Sequence, residues 1–282
     1  MGSIDLLGTQ ARQLGVPSKM ADGTEYLSLS MFIAEEISSR ENAPLREVEL
    51  AALAAGVIPE HYVRNFNSID IQGQINLLSS KLALVGLGGL GGLLIEAFAR
   101  MGVGHIEAAD GDSFEESNLN RQLLSSSQRV RLSKARSASL RVVTINPAID
   151  CAAHAEFVTE DSLRAMCHGA SVLVDALGGL DNRQLLQDVA TEFNIPLVTA
   201  GMAGFSGYVA TVLPGQPGPA SFFGSGSAAE DSLGTPVPAV YTAASLQAAE
   251  VMRILAGQAP ALDNRMLLFD LNDMSFEKIQ IA

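Results

Sequence analysis

From Lys81 onward the chain alternates short apolar runs with longer stretches in which apolar residues return every three or four positions. The runs predict strands beginning at Lys81 and spanning His105 to Ala109, Ala152 to Phe157, Ser171 to Asp175, Pro196 to Ala200 and Tyr208 to Leu213. Between them the helical period predicts a helix ending at Met101 and others over Lys134 to Thr144, Ser162 to His168, Asn182 to Phe193 and Ala239 to Ala256. Met266 to Leu271 and Glu277 to Ile281 read as a closing hairpin. Alternation of this kind predicts an α/β fold, a mostly parallel sheet with helices on both faces and antiparallel strands at the C-terminal end.

Two stretches break the alternation. In residues 1–58, Ser28 to Arg40 and Leu45 to Ala55 carry helical spacing, which predicts a small helical N-terminal extension ahead of a main domain over 59–282. Pro214 to Pro238 is rich in Pro, Gly and Ser around Glu230 and Asp231. A loop of that length in a compact domain is either functional or a disordered insertion.

Candidate chemistry begins where the first strand meets Gly86-Leu-Gly-Gly-Leu-Gly91. Gly86, Gly88 and Gly91 have the G-x-G-x-x-G spacing, and Gly89 lies within the same turn. Such a turn opens a helix whose N-terminus faces an anion. Taken alone, the motif gives even odds of a nucleotide. The next strand ends in Asp110, placed for a ribose hydroxyl, and Asp112, Asn118, Arg121, Gln122 and Lys134 follow. A hydride-transfer enzyme would share the glycines and Asp110 but has no need of Arg121 and Lys134. Two cations suit a triphosphate whose charge must be neutralised as one phosphoryl bond breaks. Separately, each cation reads as a solvated surface charge; the joint spacing raises the odds.

In order and spacing these residues resemble the ThiF/MoeB/HesA family of ubiquitin-activating-like adenylyltransferases. The resemblance is carried by the glycine turn, Asp110-Gly-Asp112, Asn118-Leu-Asn-Arg121-Gln122, Lys134, Ile145-Asn-Pro147, Val174-Asp175 with Asp181-Asn182-Arg183, and Ile195 to Gly201, and it covers the chain from about Glu60. It implies a Rossmann-like fold and ATP with Mg²⁺ as cofactors. The implied reaction adenylates the C-terminal glycine of a small ubiquitin-like carrier protein ending in Gly-Gly, in sulfur transfer for molybdenum or tungsten cofactor, thiamine or a related product. By position, Asp110 would hold the ribose, and Asn118, Arg121 and Lys134 the phosphates. Arg64, just before the first strand, would reach into the partner's site in a homodimer; its bland reading is a surface salt bridge. Pro214 to Pro238 would accept the carrier's tail.

Two departures from the family pattern matter. The family's magnesium-linked aspartate lies three residues after the one ending its strand, a position held here by Gly178 if Asp175 to Arg183 is read without a gap. Matching Asp-Asn to Asp-Asn instead selects Asp181 as the metal residue, which a triphosphate site needs; alternatively Asp181 caps the following helix. Cys151 and Cys167, sixteen apart, form no Cys-x-x-Cys pair, so no structural zinc and no covalent cysteine step are expected.

Charge narrows the classes that remain. A net charge of −13 with no basic run argues against a nucleic-acid binder and weakens a tRNA-linked acceptor. No stretch approaches the roughly 20 apolar residues that span a bilayer, and Met1-Gly-Ser-Ile-Asp does not read as a targeting segment. With only two cysteines, a cytoplasmic enzyme is expected. Three alternatives stay open: adenylation of another carboxylate on a peptide or a tRNA-linked group, an NAD-binding oxidoreductase, and a scaffold that has lost catalysis.

Overall fold

The structure, a computed structural model, describes residues 3–223 and 229–281. The N-terminal part runs α1 (Ser3–Leu14), β1 (Val16–Lys19), β2 (Glu25–Leu29), α2 (Met31–Glu41), α3 (Leu45–Ala54) and β3 (Val57–Pro59). It is therefore not purely helical: β1, β2 and β3 form a three-stranded sheet of their own. The strand over Glu25–Leu29 takes the start of the segment read as a helix from Ser28, because Ser30 caps α2 by accepting from the Ile33 N–H. Leu7, Ala11, Ile37, Val48 and Ala52 give this part a buried core.

A 3₁₀ turn over Glu60–Asn65 leads to α4 (Ile71–Ser79), β4 (Lys81–Val85), α5 (Gly89–Met101), β5 (His105–Ala109), α6 (Lys134–Ile145), β6 (Asp150–His154), α7 (Glu160–Cys167) and β7 (Val172–Asp175). Then come α8 (Arg183–Glu192), β8 (Leu197–Ala203), β9 (Ser206–Val212), the short α9 (Ala220–Phe223) and α10 (Glu230–Leu233), α11 (Val237–Leu255), β10 (Arg265–Asp270) and β11 (Ser275–Gln280). The main sheet has eight strands in the order β11-β10-β9-β8-β7-β4-β5-β6. Strands β8, β7, β4, β5 and β6 pair in parallel, and β9, β10 and β11 continue antiparallel.

Alternate residues of β4 feed the two faces. Leu82 and Leu84 pack with Leu94, Phe98, Ala138, Val142, Val240 and Val251 from α5, α6 and α11. Ala83 and Val85 pack with Leu163, Leu186 and Val189 from α7 and α8 on the other side. Complete burial of β4 except at Lys81 explains its uninterrupted apolar run.

The N-terminal part is joined to the main sheet by a buried polar link. The Tyr62 hydroxyl donates to Glu49 Oε2 at 3.1 Å and accepts from Asn146 Nδ2 at 2.8 Å, and all three residues are buried. Asn146 also donates to the Ala99 carbonyl and accepts from the Ala148 N–H. Asn146 of the Asn-Pro pair is thus a structural link among buried groups.

Strand β6 lies two to three residues earlier than the apolar pattern placed it. Its register is set by β5, with His105 opposite Asp150 and Ala109 opposite His154, so pairing ends where β5 ends. Phe157 then leaves the sheet and is 71% exposed. Within Pro214 to Pro238, α9 and α10 form short helical turns, and residues 224–228 lie outside the described residues. No helix among the described residues is long and apolar enough to cross a membrane.

Candidate active site

Chain order reverses across β4: the chain moves outward through β5 and β6, then returns to β7 and β8 on the other side. Loops leaving neighbouring strand ends part at such a switch point, which opens a crevice at the carboxyl ends. A cleft of about 470 Å³ lies there. Its lining includes Gly86, Gly88, Gly89, Asp110, Asp112, Asn118, Arg121, Gln122 and Lys134.

The glycine turn is shaped by close approach. Gly86 has φ +96°, and a Cβ on it would lie 2.5 Å from the Ala176 carbonyl oxygen. A Cβ on Gly91 would lie 1.8 Å from the Gly86 carbonyl oxygen, so helix and strand can meet only if this residue has no side chain. The constraint on Gly88 is weaker: its nearest neighbour would be Gln122 Nε2 at 3.4 Å. Gly88 caps α5 with no side-chain hydrogen bond, leaving the first N–H groups of a 13-residue helix facing the cleft.

Asp110 holds this turn in place. Its Oδ2 accepts from the Leu87 N–H at 2.7 Å and its Oδ1 from the Asp112 N–H at 2.8 Å. Each oxygen keeps a lone pair for a ligand hydroxyl. Lys134, the first residue of α6, is 6% exposed, and its Nζ lies 2.9 Å from Asp112 Oδ2. Arg121 is held by the Ser117 carbonyl and Asn120 Oδ1, both at 2.9 Å, which leaves most of its five donors open. Asn118 Oδ1 accepts from the Glu115 N–H and closes a capping box. Gln122 is 7% exposed and its Oε1 has no hydrogen-bond partner among the described residues.

Two residues singled out from the sequence are not brought to the cleft. Asp181 is exposed and absent from its lining, whereas its neighbour Asn182 lines it. The physical reason is the turn before α8: Gly179 has φ +73° and Asn182 φ +64°, which turns Asn182 inward and leaves Asp181 outside. Asp181 is not the helix cap either, because Asn182 holds that position without a side-chain hydrogen bond. Arg64 is exposed at the end of the 3₁₀ turn and does not line this cleft.

Asp175 and Arg183, both in the recognised motif, brace the wall from beneath. Arg183 Nη1 bonds Asp175 Oδ2 at 2.8 Å, Thr199 Oγ1, the Ala200 carbonyl and the Tyr208 hydroxyl, while Nε and Nη2 bond the Gly179 and Leu177 carbonyls. Burial lowers the guanidinium pKa, but Asp175, Tyr208 and Glu230 outweigh it, so the net shift is upward. Gln247 of α11 donates to the Asp175 and Val198 carbonyls.

Glu156, Phe157, Asn182, Met202, Glu230, Asp231 and Thr235 also line the cleft; the sequence reading gave none of them a ligand role, although it read Pro214 to Pro238, which holds Glu230, Asp231 and Thr235, as accepting the carrier's tail. Glu230 Oε1 accepts from the Gly179 N–H at 2.8 Å, spanning from α10 to the β7–α8 turn. The acidic pair was visible within Pro214 to Pro238, but a loop's landing place has no periodic signal.

Residues 62–282 match the ThiF family. The chain belongs to the ThiF family. As a ThiF-family protein it is an adenylyltransferase, and the NAD-binding oxidoreductase reading falls, in accord with Arg121 and Lys134 lining the cleft. It is 35% identical over 218 residues to the SAMP-activating enzyme E1 of Haloferax volcanii, covering 76% of this chain and 81% of that one. It is 31% identical over 224 residues to the adenylyltransferase and sulfurtransferase MOCS3 of Mus musculus, covering 76% of this chain. The matched region spans about half of the MOCS3 proteins' length, 48% in the mouse protein. Among solved structures, microcin C7 biosynthetic enzyme MccB in complex with N-formylated MccA superposes with a TM-score of 0.68 at 19% identity, covering 88% of this chain and 83% of that one. That likeness places the α/β fold of this ThiF-family chain.

Proposed function

We propose that this chain adenylates the C-terminal glycine carboxylate of a small ubiquitin-like carrier protein ending in Gly-Gly, using ATP and Mg²⁺, in the cytoplasm and as a homodimer. The reading rests on one observation: the open N-terminus of α5, Asp110, Asn118, Arg121, Gln122 and Lys134 share a single cleft. The SAMP-activating relative supports a carrier protein as the acceptor.

In this reading Asp110 accepts hydrogen bonds from the ribose hydroxyls. The α5 N–H groups, Asn118, Arg121 and Lys134 hold the phosphates. An oxygen of the carrier's carboxylate attacks the α-phosphorus, the bond from that phosphorus to the bridging oxygen breaks, and pyrophosphate leaves with the electron pair. No general base is required, because the carboxylate is already ionised near neutral pH. The chain contributes position and fixed charge: Arg121 and Lys134 face the departing pyrophosphate and stabilise its growing charge. Arg64 would add a third cation from the partner subunit.

The cleft fits a magnesium nucleotide. Among the described residues five carboxylates, Asp110, Asp112, Glu156, Glu230 and Asp231, line the cleft beside two cations, Arg121 and Lys134, so a triphosphate needs a counter-ion to enter. The carboxyl donors are hard oxygens, with no His or Cys in the lining among the described residues. Bound Mg²⁺ supplies charge neutralisation of the pyrophosphate.

No cysteine step is proposed. Burial pushes the thiols of Cys151 and Cys167 up to about 11, and neither lines the cleft. The test is ATP–pyrophosphate exchange with Mg²⁺ against a panel of β-grasp proteins ending in Gly-Gly, with a short peptide ending in a free carboxylate as a second arm. Exchange that requires one β-grasp protein supports the reading. Exchange with the peptide alone, or with neither, refutes it.

A further inference from the structure

We propose that Glu230 is the carboxylate that receives the Mg²⁺ of the bound nucleotide, delivered from α10 instead of from the β7–α8 turn. The inference rests on the adenylyltransferase reading of this cleft.

Three observations carry it. First, Glu230 Oε1 lies 3.3 Å from the point where a Cβ on Gly178 would stand. A side chain at 178 would therefore begin beside the Glu230 carboxylate. The sequence has glycine there, and the carboxylate comes from 52 residues further along the chain. Second, Oε1 is fixed by the Gly179 N–H at 2.8 Å, while Oε2 has no hydrogen bond among the described residues. The group is held at one oxygen and open at the other, as a monodentate metal ligand would be. Third, Glu230 lines the same cleft as Gly88 and Gly89 at the uncapped start of α5, so its carboxylate shares the space in which a nucleotide phosphate would lie.

Position also separates Glu230 from the aspartates around it. Asp181 does not line the cleft. Asp110 spends an oxygen each on the Leu87 and Asp112 N–H groups, and Asp112 is paired with Lys134. Asp175 is 1% exposed and locked by Arg183 and Thr199. Asp231 lines the cleft from the same helix, but no hydrogen bond among the described residues fixes its carboxylate. The segment bearing Glu230 is seated by Gly204, whose N–H donates to the Gly234 carbonyl at 2.8 Å. Metal binding would then depend on this contact between α10 and the β8–β9 turn.

The test uses the full chain and the non-hydrolysable analogue AMPCPP, titrated by calorimetry with and without Mg²⁺, and Mn²⁺ with AMPCPP followed by electron paramagnetic resonance. Glu230→Gln keeps an acceptor for Gly179 and removes the charge. We expect it to bind metal-free AMPCPP as the wild type does and to lose roughly ten-fold in Mn²⁺ affinity. Asp181→Asn should leave both unchanged, and Gly178→Asp added to Glu230→Ala, which clears the oxygen 3.3 Å from that Cβ, should restore the metal, since Gly178 has no positive φ to forbid a side chain. Full metal affinity in Glu230→Gln, or its loss in Asp181→Asn, overturns the proposal. So does failure of Glu230→Gln alone to bind the analogue under any condition, which would make the residue a strut of the turn. If the wild type binds no AMPCPP with or without metal, the adenylyltransferase reading of the cleft falls first.

Discussion

Replacing Lys134 with methionine separates stability from catalysis, because the two sides of its ion pair are unequally buried. The lysine side chain is 8% exposed and that of Asp112 54% exposed, with 2.9 Å between the charges. Loss of the ammonium therefore leaves a carboxylate that water can reach, not a stranded buried charge, which would cost about 3–5 kcal/mol. Methionine retains most of the apolar stem that packs beneath the cleft. The folding cost should stay within about 1 kcal/mol, which for a chain of this size lowers Tm by about 2–4 °C. Turnover answers to a different quantity, the charge facing the leaving pyrophosphate. Removing one preorganised donor from such a site costs about 2.7–4 kcal/mol, or roughly 10²–10³ in rate. The assay is Mg²⁺-dependent ATP–pyrophosphate exchange with a β-grasp protein ending in Gly-Gly, run beside a thermal melt. Exchange at the wild-type rate would refute the role given to Lys134. A fall in Tm of ten degrees or more would refute the accounting of the ion pair.

Other expectations are as direct. Tyr62→Phe removes the hydroxyl shared by Glu49 and Asn146, and leaving those buried groups short of a partner should cost about 1–3 kcal/mol in a urea melt; an unchanged midpoint would mean that the link carries no stability. The Glu96 carboxyl is held below its ordinary 4.5 by hydrogen bonds from Arg141, opposed by burial and aided by Arg100. Since the folded value is the lower one, this stabilisation is present above about pH 4.5 and lost as pH falls through the folded value. Melts between pH 7 and pH 3 should show a shallower acid loss in Glu96→Gln than in the wild type, and parallel curves would contradict the sign. The double variant Cys151→Ser, Cys167→Ser should exchange pyrophosphate within about two-fold of wild type, given thiols raised by burial; abolished exchange in a folded variant would return a cysteine to the mechanism.

Much of the cleft was legible because its residues are local in sequence. The glycine turn, Asp110, Asn118, Arg121, Gln122 and Lys134 all fall between positions 86 and 134, and the strand–turn–helix grammar places them at the carboxyl ends of neighbouring strands. The element pattern from Lys81 onward was legible for the same reason, since buried strands and half-buried helices have different periods. The N-terminal sheet was not, because strands of three to five residues with mixed burial carry no period long enough to recognise. Asp181 misled because matching an Asp-Asn pair in sequence ignores the direction of the turn, which the positive φ angles of Gly179 and Asn182 decide.

By itself, then, the sequence determined the α/β class, the nucleotide turn and the cationic pair, because each follows from short-range spacing and from side-chain chemistry. Only the tertiary structure decided which carboxylates face the cleft. Asp181 turns outward, Asp175 is taken up by Arg183, and Glu230 crosses from α10 to the Gly179 N–H. That outcome depends on how two loops far apart in the chain meet over the carboxyl ends of the strands. No local period encodes such a meeting, because its energy comes from contacts that exist only after β7, β8 and α11 have packed together.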